Sequence, residues 1–434
     1  MPLSNLRAIC ACLLFSQFWT VPAAMADSKD APPLTLEMAI AAALKTNPEL
    51  RSFAFELRAL DAQRRQADLR PAPAVSVQLE NALGTGETSG FKSAEMTLAL
   101  SQVLELGGKR DARRNAAQAA RSSADIDQQA RQLDVLADVT RRVIAVVAQQ
   151  ERLRLAGVAR SLAEQTVAGS DRRVQAAKSP HVELDRARIS LDHAALAERR
   201  AMADLQAARQ QLAATWGEST PTLDGQAFGQ VQADLFAVPT VGDFAALTAR
   251  LNANPDFQRF NSEARLRDAQ LRLAATLRKP DLSLSGGVRR LQGTRDQAFV
   301  LSVSVPLFAG RRADSFVDEA RARREQVDSQ RQAARTRVEA TLYELHQALQ
   351  QAVLEAHALQ KDMMPRAQEA LQETQYAYDR GRYSYLELVD AQREFLAIQS
   401  DLIDAATNAH QLRAEIERLT GEPLAPTATN QETP

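Results

Sequence analysis

The spacing of apolar positions switches between a helical and an alternating period, and it does so twice in the same order. From about Leu36 to Arg70 the pattern predicts helix, interrupted early at Asn47–Pro48 because proline disfavours helical backbone in the residue before it. Pro71 and Pro73 end that run. Strict alternation follows, with Val75, Val77 and Leu79 on one side and Ser76, Gln78 and Glu80 on the other. A polar, Gly-rich loop runs from Gly84 through Gly90. Met96, Leu98 and Leu100 then alternate with Glu95, Thr97, Ala99 and Ser101. Gly107–Gly108 punctuates the return to helix, predicted from about Lys109 to Ala177. At 1.5 Å per residue that helix is on the order of 100 Å long. Ser179–Pro180 reverses the chain, and a second helix returns to about Trp216.

The same plan then recurs. A helix from about Asp243 ends before Pro280, Leu282 and Leu284 alternate with Ser283 and Ser285, and a turn falls near Gly293–Thr294. Phe299, Leu301, Val303 and Val305 alternate with Val300, Ser302 and Ser304, closed by Pro306 and Gly310. The next helix carries Val338, Leu342, Leu345, Leu349, Ala352, Ala356, Leu359 and Met363 at alternating steps of four and three, a coiled-coil seam. The chain turns around Gly381 and returns to Thr420.

Individual residues carry the repeat as well. Asn47-Pro48-Glu49-Leu50 returns as Asn254-Pro255-Asp256-Phe257, and Asp61-Ala62-Gln63 as Asp268-Ala269-Gln270, both 207 positions on. Pro73 returns as Pro280 in the same register, and Leu104 and Gly107 match Leu307 and Gly310 after a short slip. "VELDRARIS" from Val182 matches "LELVDAQRE" from Leu386, and Trp216–Gly217 matches Thr420–Gly421. Two structural repeats are expected, 27–216 with a hairpin at about 74–106 and 242–421 with a hairpin at about 281–308. A linker at 217–241 joins them, and a disordered tail covers 422–434. The fold class is mainly α with a small β part, in duplicated helix–hairpin–long helix–helix halves.

Composition narrows the class. Arg7, an apolar run from Ala8 to about Val21 and the small-x-small pattern Ala24-Met25-Ala26 predict a signal peptide over 1–26. Both cysteines, Cys10 and Cys12, fall inside it, so the mature chain is expected to hold no disulfide, thiolate metal site or cysteine nucleophile. With 53 basic against 54 acidic residues, nothing points to nucleic acid. No mature stretch is apolar enough for a transmembrane helix, so membrane residence requires a β-barrel. Each predicted strand is about ten residues long, enough to cross a bilayer when tilted, with one face apolar and one polar. Four strands do not close a barrel, so that reading demands an oligomer; the alternative is an amphipathic sheet resting on soluble helices.

These repeated elements resemble the TolC family of outer-membrane efflux channels over nearly the whole mature chain. "LRPAPAVSVQLENALG" and "LSQVLELGGKRDARR" are similar to its CzcC-like, heavy-metal efflux branch. The resemblance implies a homotrimer, with a twelve-stranded barrel in the outer membrane of a Gram-negative bacterium and a twelve-helix tunnel in the periplasm. It also implies a periplasmic membrane-fusion adaptor and an inner-membrane resistance–nodulation–division (RND) transporter as partners, with heavy-metal cations as cargo. A drug-efflux or type I protein-secretion duct stands as an alternative, and a poreless periplasmic coiled-coil scaffold as another.

The chemistry of interest falls at the helical turns farthest from the strands. Gly381 permits a tight reversal, and Glu387 and Asp390, three apart, share a helical face. Three copies would ring the tunnel axis with carboxylates, which attract cations and resist closure; the competing reading is an ordinary solvated face. The family's periplasmic gate is an acidic pair at the matching positions. Tyr378 matches a gate-region tyrosine, with Glu183 as the expected acceptor of its hydroxyl. Tyr383, where one branch carries a basic residue, and Arg186, at the first-half equivalent of Asp390, depart from the pattern.

Ser179, Pro180, Gly381, Arg382, Ser384 and Tyr385 are expected at exposed, adaptor-contacting tips. Lys109, Arg110, Arg311 and Arg312, where strands give way to helices, are expected at the membrane border facing lipid headgroups, or else as plain helix starters. Among His181, His193, His346, His357 and His410 no two are three or four apart, which argues against a metal site in this chain. No P-loop, dinucleotide glycine motif or nucleophile elbow suggests an enzyme, and no cofactor is implied.

Overall fold

The computed structural model describes residues 33–421. The expected signal peptide and the expected disordered tail lie outside the described residues. The first half comprises α1 (Leu36–Thr46), α2 (Pro48–Ala67), β1 (Ala74–Glu80), β2 (Glu95–Leu104), α3 (Lys109–Gln175) and α4 (His181–Ala214). A small hairpin, β3 (Thr222–Leu223) and β4 (Gln226–Ala227), lies between the halves. The second half repeats the order with α5 (Phe244–Arg250), α6 (Pro255–Thr276), β5 (Leu282–Leu291), β6 (Gln297–Ser304), α7 (Ala309–Ala358), α8 (Met364–Asp379) and α9 (Tyr385–Thr420). The expected single helix from Asp243 is instead broken at Leu251–Ala253 by a 3-10 turn, the counterpart of the break between α1 and α2.

The reason for both breaks is one side chain used in two directions. The Oδ1 of Asn47 accepts from the amides of Glu49 and Leu50, capping α2, while its Nδ2 donates to the carbonyl of Thr215 at the end of α4. Asn254 repeats the device: Oδ1 caps α6 at Asp256, and Nδ2 donates to the carbonyls of Arg418 and Leu419 at the end of α9. Both asparagines are buried. Each clamp therefore satisfies orphan groups at the start of one helix and the end of another. Proline follows each because the first helical position needs no N–H. The helix-ending Gly217 and Gly421 have φ of 88° and 74°, a left-handed backbone that other side chains rarely adopt.

The core forms two clusters, the first of which also takes in Ile403 and Ala406 of α9 from the second half. One cluster gathers Ala39 and Ala43 of α1, Val139, Val143 and Val146 of α3, and Leu205 and Leu212 of α4. The other gathers Leu247 of α5, Leu342, Leu349 and Ala356 of α7, and Leu402 and Ile416 of α9. The segment between the halves is tied to both. Gln150 of α3 exchanges two hydrogen bonds with the backbone of Val231, and the Nε2–H groups of His410 and His346 donate to the carbonyls of Leu235 and Gly242.

The predicted seam of α7 holds through Leu359 and then fails at Met363, which is exposed. Leu359–Met363 form a π turn just before Pro365, whose missing N–H and bulky ring an unbroken α-helix would not accommodate. The turn takes up one extra residue, so the seam resumes one position late at Met364, Ala367, Leu371 and Tyr378.

The four long strands form one antiparallel sheet in the order β1-β2-β5-β6, leaving β1 and β6 as edges. Register places Val75, Val77, Leu79, Met96, Leu98, Leu100, Leu284, Val288, Phe299, Leu301 and Val303 on one face. That face is bare: Phe299 is 94% and Leu301 80% exposed.

Asn47→Ala and Asn254→Ala should each destabilise the chain by about 1–3 kcal/mol, a lost cap plus unpaired carbonyls. Thermal melts followed by circular dichroism check this, with the same substitution at exposed Asn408 as the control expected to change little. Burial holds the His410 imidazole below its ordinary 6.5, so the folded chain keeps the ring neutral. Below pH 6.5 the unfolded chain takes up a proton that the folded chain resists, and stability falls as pH falls toward the folded value. His410→Gln should flatten this part of the melting-temperature profile.

Candidate functional site

The loop between α3 and α4 and the loop between α8 and α9 meet at the end of the bundle remote from the sheet. Tyr378, the last apolar residue of α8, is fully buried among Ala187, Tyr385 and Leu388. Its hydroxyl pairs with Ser170 Oγ at 3.0 Å, its carbonyl accepts from Arg173 Nη1 at 2.8 Å, and the Arg173 guanidinium stacks 4.7 Å from its ring centroid. Arg173 Nε also donates to Ser179 Oγ. Arg173 thus holds the tips of both helical hairpins together. One turn further in, Gln392 of α9 donates to Thr166 of α3 at 2.9 Å within a buried contact.

Tyr378 occupies this position because of the π turn, which moves it rather than Ala377 onto the buried seam. The expected bond between Tyr378 and Glu183 is replaced by the bond to Ser170, which α3 presents one helical turn before Arg173. Glu183 is half-buried, and its Oε2 is buried without a hydrogen-bond partner among the described residues. The Tyr385 phenol is pushed above its ordinary value, first by burial and then by neighbouring Tyr378, with Glu183 a smaller contributor in the same direction. Tyr385, expected at an exposed tip, is in fact buried because it sits on the inward face of the first turn of α9.

Glu387 and Asp390 are both exposed, and they differ in occupation. Ser384 Oγ accepts from the Glu387 amide, while the Glu387 carboxylate accepts from the Ser384 amide at 2.6 Å and from its hydroxyl at 2.8 Å. This reciprocal capping box starts α9. The Ser384 backbone bond, followed by the Ser384 side-chain bond, holds the Glu387 carboxyl below its ordinary value. Asp390 makes only a 3.5 Å contact with Arg393, both well exposed. Pro180, Gly381, Arg382 and Ser384 are exposed, and Ser179 is half-buried beneath Arg173.

Two of the four basic residues expected at a membrane border are used inside the chain. Lys109 is buried and pairs with Asp281 at 2.7 Å, and Arg110 binds the carbonyl and carboxylate of Asp68. They fasten the start of α3 to β5 and α2, which corrects the expectation that they face lipid. Arg311 and Arg312 are exposed at the start of α7.

Sequence reasoning missed Ser170, Arg173, Thr166 and Gln392, polar side chains on long helices with no local signature. The cap was visible as Ser384-x-x-Glu387, the capping-box spacing. Among the described residues no group of three or more His, Cys, Asp or Glu side chains is arranged to hold a metal ion.

Comparison with known proteins places this architecture. The outer membrane efflux protein family matches residues 39–218 and 247–422, one stretch in each half. The cobalt-zinc-cadmium resistance protein CzcC of Cupriavidus metallidurans is 28% identical over 391 residues, covering 90% of this chain and 91% of its own. The nickel and cobalt resistance protein CnrC of the same organism is 28% identical over 297 residues, 68% of each chain. Among solved structures, CusC, described in terms of folding and transmembrane channel formation, aligns with a TM-score of 0.72 at 17% identity, covering 89% of this chain and 92% of that one. With matched segments filling most of both halves, the chain belongs to the outer membrane efflux protein family.

Proposed function

We propose that the protein is the outer-membrane duct of a tripartite RND efflux system, passively conducting heavy-metal cations from a periplasmic adaptor and pump to the exterior. The observation that carries the reading is the bare apolar face that crosses all four strands and ends at the unpaired edges β1 and β6. Such a sheet suits lipid on one side and a wet lumen on the other once other copies close it. Among the described residues no helix is long and apolar enough to cross a membrane, so the sheet is the element fitted to the task. Three copies bring twelve strands to one barrel and continue it as a helical tunnel in the periplasm. A poreless scaffold would leave the apolar face without purpose.

The metal cargo is taken from the relatives named for cobalt, zinc, cadmium and nickel resistance. In this reading Glu387 and Asp390 ring the narrow periplasmic end, with Tyr378 and Glu183 behind them. Ser179, Pro180, Gly381, Arg382 and Ser384 shape the surface that meets the adaptor. Arg311 and Arg312 sit at the periplasmic membrane border. Because Glu387 is engaged in capping α9, Asp390 supplies the freer charge of the pair.

Deleting the gene should sensitise cells to a group of metal salts among zinc, cadmium, cobalt, copper and silver, with rescue by the wild-type gene. Sensitivity to organic drugs alone would keep the duct and overturn the metal cargo. In planar bilayers, Glu387→Ala with Asp390→Ala should raise conductance and lower cation selectivity severalfold; unchanged values would remove both from the gate. Asp390→Ala alone should carry most of the selectivity change. Glu387→Ala should in addition speed hydrogen exchange in the first turn of α9.

A further inference from the structure

The polar face of the sheet holds a second concentration of charge, at the end opposite the helical tips. Glu80 is the last residue of β1 and Glu95 the first of β2, and register sets them directly opposite each other. Two like charges in that relation repel and loosen a strand pair. Arg289 of β5, whose cross-strand partner is Thr97, resolves the conflict. Its Nε donates to Thr97 Oγ1 at 2.9 Å, Nη1 meets Glu95 Oε2 at 2.9 Å, and Nη2 meets Glu80 Oε2 at 3.0 Å. The remaining carboxylate oxygens are occupied too, Glu95 Oε1 by Asn81 Nδ2 and Glu80 Oε1 by Gln78 Nε2. One guanidinium thus spans three strands.

Its setting gives the cluster significance beyond strand pairing. The other residues that register places on this face are Ala74, Ser76 and Gln78 of β1, and Thr97, Ala99, Ser101 and Val103 of β2. From β5 and β6 come Ser283, Ser285, Gly287, Leu291, Ala298, Val300, Ser302 and Ser304. Every one is uncharged. Across the whole polar face, all formal charge is gathered in one band beside the loops that join the strands, two carboxylates against one guanidinium in each chain.

We propose that Arg289, Glu80 and Glu95 form a charge filter at the outer end of the lumen, in which Arg289 sets how much negative charge a departing cation meets. The inference rests on the reading of the chain as a barrel-forming channel whose polar face lines the pore. Repeated around a closed barrel, the band is a mixed ring with a net excess of carboxylate, separated from the acidic residues of the tips by the full length of the bundle. Its favoured traffic is cations, held weakly enough to leave because each carboxylate is already shared with Arg289.

The test is the ratio of cation to anion permeability, read from reversal potentials in potassium chloride gradients near 0.1 M, where screening reaches only about 10 Å. It uses the purified full-length protein in planar bilayers. Arg289→Gln should raise the ratio roughly two- to fivefold, and Glu80→Gln with Glu95→Gln, which removes two charges and leaves the cluster net positive, should lower it by a larger factor. Glu80→Gln combined with Arg289→Gln restores the net charge of the cluster and should return the ratio to near the wild-type value. A purely strand-pairing role predicts instead that this double variant assembles worse than either single and that selectivity does not follow charge.

Heat-modifiable migration on gels reports assembly of each variant, and the Glu80→Gln, Glu95→Gln arm still reads the charge if Arg289→Gln fails to assemble. Ratios equal to wild type in assembled variants would overturn the filter and leave the channel standing. Absence of conductance from the wild-type protein as well would overturn the channel reading and this inference together.

Discussion

Among the described residues, the backbone N–H and C=O groups along the outer sides of β1 and β6 have no strand to pair with, and the face those strands share is apolar. In water the apolar face is costly, and in hydrocarbon each unpaired backbone group costs several kcal/mol. A single chain satisfies neither solvent. In the proposed duct, joining the β1 edge of one sheet to the β6 edge of another, around a closed ring, answers both demands. The helices are subject to the same arrangement, since they continue directly from the strands.

Each half is closed on itself by its own asparagine clamp. Each half must bring a helix start and a helix end to the same place, and three polar backbone groups converge there on one side chain. Asn47 and Asn254 satisfy them with one amide apiece, since an amide both accepts and donates. Aspartate could cap but not donate, and serine could not reach both ends. The segment between the halves is then held by Gln150, His346 and His410, so the junction is ordered by side chains from α3, α7 and α9.

The architecture was legible because its signals are periodic and occur twice. Alternation locates all four long strands, and the recurrence of Asn-Pro marks both breaks, the second of them set within an otherwise helical pattern. Asp224–Gly225, a two-residue hairpin signal, joins β3 and β4 within a stretch whose composition otherwise resembles a linker. The site was less legible. Burial of Tyr385 and the engagement of Lys109 and Arg110 depend on partners far away in sequence, Asp281 being the clearest case. Ser170 and Arg173 meet Tyr378 only because a seam slips by one residue, and a strict heptad extrapolation cannot foresee a slip.

That slip has a wider bearing. The π turn at Leu359–Met363 separates an upper stretch of helix, fixed by the second core cluster, from a lower stretch that ends in the tip. Adding or removing one residue there turns everything below by about 100° around the helix axis, with the upper packing undisturbed. α3, its counterpart in the first half, runs unbroken for 67 residues and has no such joint. The direction in which the second tip faces is therefore an adjustable phase, set by a single insertion and independent of the bundle that carries it.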